Sequence, residues 1–220
     1  LASGTGTLDT QLGQFTADST AGTVKVKVTD ALGSSAQATL TINSGLVLSP
    51  DSKNLALGGT VNLLATGGAS PYTFSISGSG CPTSLSGSGS SRTFTAPLSS
   101  APADACTVTV TDSGSPQLTA SSSLKVWGTP TLTPSSSTFV GTTASQTLAV
   151  SGGMPPYVWS VSGGGSLTQP SASSAIYTAG TTSGLVTVKV TDALSQSASV
   201  PLQVVAPLTL TPAIGSLVQS

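Results

Sequence analysis

Cys81 and Cys106, together with three aspartates in like surroundings, Asp30, Asp112 and Asp192, are the side chains whose type and placing could do chemistry. A thiol pair can close a disulfide, or stay reduced in a core as two small apolar groups. Two thiols in a chain without His fall short of the four ligands of a structural zinc site. Each aspartate ends a strand-like run and opens a hairpin, where a carboxylate accepts backbone N–H groups and caps the turn. Calcium is the sharper use of such residues, but that ion takes six to eight oxygens and the seven acidic residues of this chain are dispersed. General acid–base work needs His or paired carboxylates, and the sequence has neither His nor Glu. A Ser or Cys nucleophile would need a basic neighbour, and no motif sets Lys25, Lys27, Lys53, Lys125 or Lys189 beside one. The sequence therefore reads as that of a protein that is not an enzyme, with no catalytic, cofactor-binding or metal residues.

The composition narrows the partners. Charged residues are 6% of the chain, against roughly 25% in ordinary soluble proteins. A net charge of −1, with six basic residues scattered singly, gives no positive field for nucleic acid or an anionic membrane surface. Hydrophobic residues make up 37% and fall in alternating runs, so the chain can bury a core and is not disordered. The most apolar stretch, Val200 to Val218, is broken by Pro201, Pro207 and Pro212, and no membrane span is expected. No signal peptide is visible behind Leu1, which suits a processed chain or a fragment of a longer one. The Gly-rich segments at Ser3 and Ser162 read as turns rather than phosphate loops, because no helix follows either.

Internal repetition organises the rest. GTVKVKVTDALG (22–33), ACTVTVTDSG (105–114) and LVTVKVTDALS (185–195) superpose on the three aspartates, with spacings of 82 and 80. GGASPYTFSISG (67–78) matches GGMPPYVWSVSG (152–163) at an offset of 85. LSP at Leu48–Pro50 and LTP at Leu132–Pro134 and Leu210–Pro212 open successive units. Four segments follow: 1–43, the C-terminal part of a unit; 44–126 and 127–205, complete units; and 206–220, the first strand of a further one. Period-two alternation rich in Val, Thr and Ile predicts strands near 130–134, 137–140, 146–151, 157–162, 175–178, 185–191 and 197–205. Residues two apart share a face, so Tyr72 and Phe74, like Tyr157 and Trp159, are expected to point inward as core aromatics, with Asp30, Asp112 and Asp192 at the hairpin turns. The alternative use of these rings is a sugar-stacking platform.

The GG-x-x-PY-x-[FW]-S-[IV]-S-G segment and the closing V-T-V-x-V-T-D hairpin resemble the tandem bacterial immunoglobulin-like repeats of large extracellular or surface proteins, with putative-Ig, cadherin-like and PKD-like modules among them. The resemblance covers essentially the whole chain. It implies an all-β fold of tandem immunoglobulin-like β-sandwich domains of about seven strands, arranged as a rod that lengthens by about 35 to 40 Å per unit. In such a sheet the third and sixth strands are antiparallel neighbours, which brings Cys81 and Cys106 together and favours a disulfide and an oxidising compartment. It also implies an extracellular or cell-surface setting, with neighbouring copies or the rest of a longer chain as partners and a glycan or surface protein as a further class. No cofactor, nucleic acid or membrane span enters. The leading functional expectation is a structural repeat segment of a surface stalk, fibre or filament. An adhesin for a host protein or glycan, and a spacer of a secreted enzyme, stand beside it.

Overall fold

The computed structural model describes residues 1–98 and 105–209. The chain forms two compact units, of which the first takes in most of residues 1–126 and the second begins at Trp127. Nineteen strands and no helix make up the described residues. The expected opening strand of 206–220 lies, from residue 210 onward, outside them, and residues 206–209 carry no regular structure.

In the first unit, β1 (Thr7–Asp9) pairs with β2 (Gln14–Thr16), and β3 (Gly22–Thr29) pairs with β4 (Ser35–Ile42). There follow β5 (Val47–Ser49), β6 (Ser52–Ala56), β7 (Thr60–Thr66), β8 (Thr73–Ser77), β9 (Ser91–Thr95), β10 (Cys106–Thr111) and β11 (Thr119–Trp127). They form two sheets, ordered β5-β7-β9 and β6-β11-β10-β8. The second unit holds β12 (Thr131–Thr133), β13 (Thr138–Gly141), β14 (Ser145–Ser151), β15 (Val158–Ser162), β16 (Ser166–Ser171), β17 (Ser174–Thr178), β18 (Gly184–Thr191) and β19 (Ser197–Val205). Its sheets run β12-β14-β17-β16 and β13-β19-β18-β15. All pairings in them are antiparallel except that of β13 with β19, which is parallel. Two antiparallel sheets whose strands alternate between them, closed over one core, form an immunoglobulin-like sandwich.

Alternation along the strands builds that core. In β18, Val186, Val188 and Val190 are buried, and in β19 Val200, Leu202 and Val204 are, while Lys189 and Ser199 face out. The sequence reading missed β16. Its S-L-T-Q-P-S run has one strong apolar residue and a proline, and the register against β17 slips between Thr168 and Ser171, so period-two alternation is absent there.

Of the expected core aromatics, Trp159 lies in the second unit's core and the half-buried Tyr157 packs against it, while Tyr72 and Phe74 in the first unit are half-buried. Tyr72 and Tyr157 stand one residue ahead of β8 and β15, strands at sheet margins, and a phenol at a margin can turn its hydroxyl to a backbone acceptor. The fully buried rings are Phe94 and Tyr177, on β9 and β17, both at 0% exposure. Each lies in the frame F-T-A or Y-T-A, which recurs at Phe15. The Tyr177 hydroxyl donates to the Gly164 carbonyl at 3.2 Å, so its polar end is satisfied.

The strand pairings of residues 1–43 match those of β15–β19, with three residues fewer from Thr7 to Thr16 than from Ser166 to Thr178. Thr7 and Leu8 face Thr16 and Phe15 as Ser166 and Leu167 face Thr178 and Tyr177. The Ser3–Lys25 bridge matches the pairing of Ser162 with Thr187. In β3 and β4, however, Val28 is 67% and Leu40 39% exposed, where the matching Val190 and Leu202 are at 0%. The hairpin keeps the register of β18 with β19.

Truncating Tyr177 to Ala should lower the second unit's unfolding free energy by about 3 to 5 kcal/mol, as for other large buried rings. Phe139→Ala, on a side chain 77% exposed, should change it by less than about 0.5 kcal/mol. Urea unfolding followed by tryptophan fluorescence distinguishes the two.

Candidate functional site

The two signature segments of each repeat meet at one place, and the aspartates join them. The Asp112 carboxylate accepts from Ala69 N at 2.9 Å through Oδ2, and from Leu118 N at 2.7 Å and Gly114 N at 3.2 Å through Oδ1. The Asp192 carboxylate accepts from Met154 N at 3.0 Å through Oδ2, and from Leu194 N at 2.9 Å and Gln196 N at 2.8 Å through Oδ1. Both are buried, at 4% and 5% exposure. One oxygen therefore closes the hairpin and the other reaches the loop that follows the Gly-Gly pair. Asp30 is exposed and, among the described residues, makes only the hairpin half of this set, to Leu32 N at 2.9 Å and Ser34 N at 2.8 Å. The hairpin-turn reading located all three residues but missed the second bond, which joins residues 43 apart in one repeat and 38 in the other.

The glycines are needed for this approach. A Cβ on Gly68 would lie 2.7 Å from Asp112 Oδ2, and one on Gly153 2.9 Å from Asp192 Oδ2, both at positive φ. The preceding glycine turns its carbonyl to the tyrosine: Tyr72 donates to Gly67 O at 2.6 Å and Tyr157 donates to Gly152 O. That carbonyl takes the phenol hydroxyl, while the Tyr157 ring packs against the second unit's core. Hydrogen bonds from Leu118 and then Ala69 hold the Asp112 carboxyl below the usual carboxylate range, with burial opposing and Gly114 adding to the lowering. Burial first, and then the charge of Asp192, raise Tyr157 above the ordinary phenol value.

Cys81 and Cys106 form a disulfide, across a separation of 25 residues. Cys106 begins β10, whose neighbour β8 ends at Ser77, so the loop after β8 carries Cys81 to the start of β10. Gly78 permits this, since a Cβ there would meet Cys81 Sγ at 2.8 Å and Ala105 O at 2.9 Å. The matching residues Val24 and Val186 are buried as Cys106 is. Among the described residues no three His, Cys, Asp or Glu side chains gather as a metal site would need. No helix among them is long and apolar enough to cross a membrane.

One residue escaped the sequence reading. Arg92, the chain's single arginine, lies on β9 two residues before the buried Phe94, with its guanidinium carbon 4.7 Å from the centroid of the Phe74 ring. The signal was present in R-T-F-T-A, where alternation places Arg92 on the inward face.

No protein-family model and no curated protein matches the sequence. Among solved structures the chain is similar to the N-terminal eight Ig domains of Down Syndrome Cell Adhesion Molecule, at 14% identity and a TM-score of 0.41, covering 89% of this chain and 28% of that one. It is similar to the D00-D0 domain of Intimin, at 13% identity and a TM-score of 0.41, covering 73% of this chain and 99% of that one. It is also similar to the Protocadherin Gamma B7 extracellular cadherin domains 1-4, at 14% identity and a TM-score of 0.28, covering 80% of this chain and 56% of that one. The chain thus spans less than two thirds of the cell-adhesion-molecule and protocadherin chains. Its fold assignment rests on the strand order and registers given above.

Two outcomes follow from the bonds at these sites. Because the folded-state pKa of Asp112 is depressed, its contribution to stability is present above the unfolded value of about 3.9 and is lost as pH falls through the folded value. The first unit's melting temperature should therefore drop below about pH 4, and Asp112→Asn should flatten that drop in a pH series of calorimetric scans. Reducing the disulfide, which closes a 25-residue separation, should destabilise the first unit by about 3 kcal/mol and leave the second unit's transition unmoved in denaturant titrations with and without reductant.

Proposed function

We propose that this chain is a non-catalytic segment of a tandem-repeat array outside a bacterial cell, built as a stalk, fibre or filament. One observation carries the reading: the same strand registers, Gly-Gly loop and aspartate bonds recur along the chain, so its chemistry is used to make modules alike. An aspartate whose lone pairs are taken up by backbone N–H groups is not held ready for a substrate. The disulfide supports an oxidising, extracellular setting. With 6% charged residues, the surface offers few sites to trypsin-like proteases and little repulsion between neighbouring arrays. The bacterial origin and the fibre rest on the resemblance of the repeat motifs. The adhesin reading is favoured by one separate observation, an open surface at Arg92, taken up below.

Immunogold electron microscopy with an antibody raised against residues 127–205 tests the proposal on cells of the source. Label along surface filaments or stalks is expected. Label confined to the cell interior would overturn it.

A further inference from the structure

We propose that the two hollows flanking Arg92 form a binding site for a carboxylated saccharide, with the guanidinium receiving the carboxylate. The site goes beyond the structural role above and is carried by one module of the chain.

The fold does not require a charge at this position. Arg92 pairs with Leu63 on the inward face of the sheet, and its counterpart in the second unit, paired with Leu148, is Ala175, fully buried. There Trp159, buried at 7% exposure, holds the position of Phe74. Trp159 and Ala175 both belong to the second unit's buried core, where the matching Phe74 and Arg92 are half-buried in the first. The difference exchanges a packed margin for a cation at the surface.

That cation is held still with part of its valence free. Nη1 donates to Gly89 O at 3.0 Å and to Ser91 O at 2.9 Å, while the guanidinium carbon lies over the Phe74 ring. Among the described residues these are its partners, and no carboxylate is one of them. A guanidinium has five donors, so the Nε and Nη2 side of the fork remains for a ligand, and a fork of parallel N–H groups matches a carboxylate.

The surroundings fit a pyranose on either side. One hollow, of about 580 Å³, is lined by Ser70, Pro71, Tyr72 and Ser90 as well as Arg92. The other, of about 270 Å³, is lined by Phe74, Thr83, Ser84 and Leu85 with the same Arg92. Flat apolar faces for ring C–H groups alternate with hydroxyls that donate or accept, the mixture that a sugar with one acid group needs. An extended acidic peptide fits less well. The free edge of β9 is already engaged where Ser86 and Thr93 exchange two backbone hydrogen bonds, of 3.1 and 2.9 Å, so a peptide cannot add there as a strand.

The test is an NMR titration of the ¹⁵N-labelled full chain with trigalacturonate, beside neutral galactotriose and an acidic peptide. Saturable shifts at residues 70–72, 83–85 and 89–92 are expected, with galactotriose and the peptide each at least about tenfold weaker. Arg92→Gln should weaken trigalacturonate by at least about tenfold with the remaining spectrum unchanged, and Arg92→Lys, which keeps charge without the fork, should fall between. If Arg92→Gln loses the folded spectrum, the Lys variant alone decides the matter. Absence of saturable shifts up to about 10 mM, shifts elsewhere, equal binding of either control, unchanged affinity in a folded Arg92→Gln, or, where that variant is unfolded, unchanged affinity in Arg92→Lys would each overturn the site.

Discussion

Between β7 and β8, and again between β14 and β15, the chain leaves one sheet for the other through a Gly-Gly turn whose backbone groups have no ladder to join. An unpaired buried N–H is costly, and the aspartate of the distant closing hairpin supplies the missing acceptor. Its carboxylate then does two things at once: it fixes the hairpin joining β10 to β11, or β18 to β19, and ties that hairpin to the crossover. The start of each repeat is drawn into the same cluster. Gly68 N donates to Ser44 O at 2.7 Å, and a Cβ on Gly152 would press within 2.9 Å of Thr129 O. Sheet order, crossover and entry of the chain are therefore fixed together at one pole of the sandwich, while the strands between supply the buried area.

This arrangement accounts for what residues 1–43 keep and lose. The β3–β4 hairpin holds its full register, and Asp30 its local bonds, because both depend only on contacts within the hairpin. Val28 and Leu40 are exposed, where the matching Val190 and Leu202 of the second unit are buried under its other sheet. Local hydrogen bonding thus specifies the hairpin, and only the second sheet makes it a core.

The parts of the fold legible in the sequence are those with a short-range cause. Strands such as V-T-V-K-V-T carry period two and were placed within a residue or two of Gly184–Thr191. The disulfide followed from a sheet neighbourhood that the repeat resemblance implied, and the turns at the aspartates followed from residue type. What was not legible had a long-range cause. The ring that fills each core most completely is set by which strand faces the opposite sheet, so Phe94 and Tyr177 are at 0% exposure, beside the PY-x-[FW] segment's Trp159 in the second core. The conspicuous Tyr of that segment serves a glycine carbonyl. β16 could not be read because its pairing is held by backbone bonds to β17 across a bulge, with little side-chain pattern.

Arg92 brings these threads together. Once the aspartate pole and the Val-rich strands define the sandwich, the margin where β9 passes over β8 is free to differ between repeats without changing registers. The two repeats use that freedom oppositely: Trp159 with Ala175 fills the margin, and Phe74 with Arg92 leaves a fixed cation between two hollows. The departure lies in the repeat that also carries the disulfide, and Cys81 anchors the loop whose continuation, Thr83 to Leu85, walls the smaller hollow. A covalent tie beside an open cleft restricts the wall's freedom before any ligand arrives, which is the condition under which a shallow site on a β-sandwich can bind with less loss of entropy.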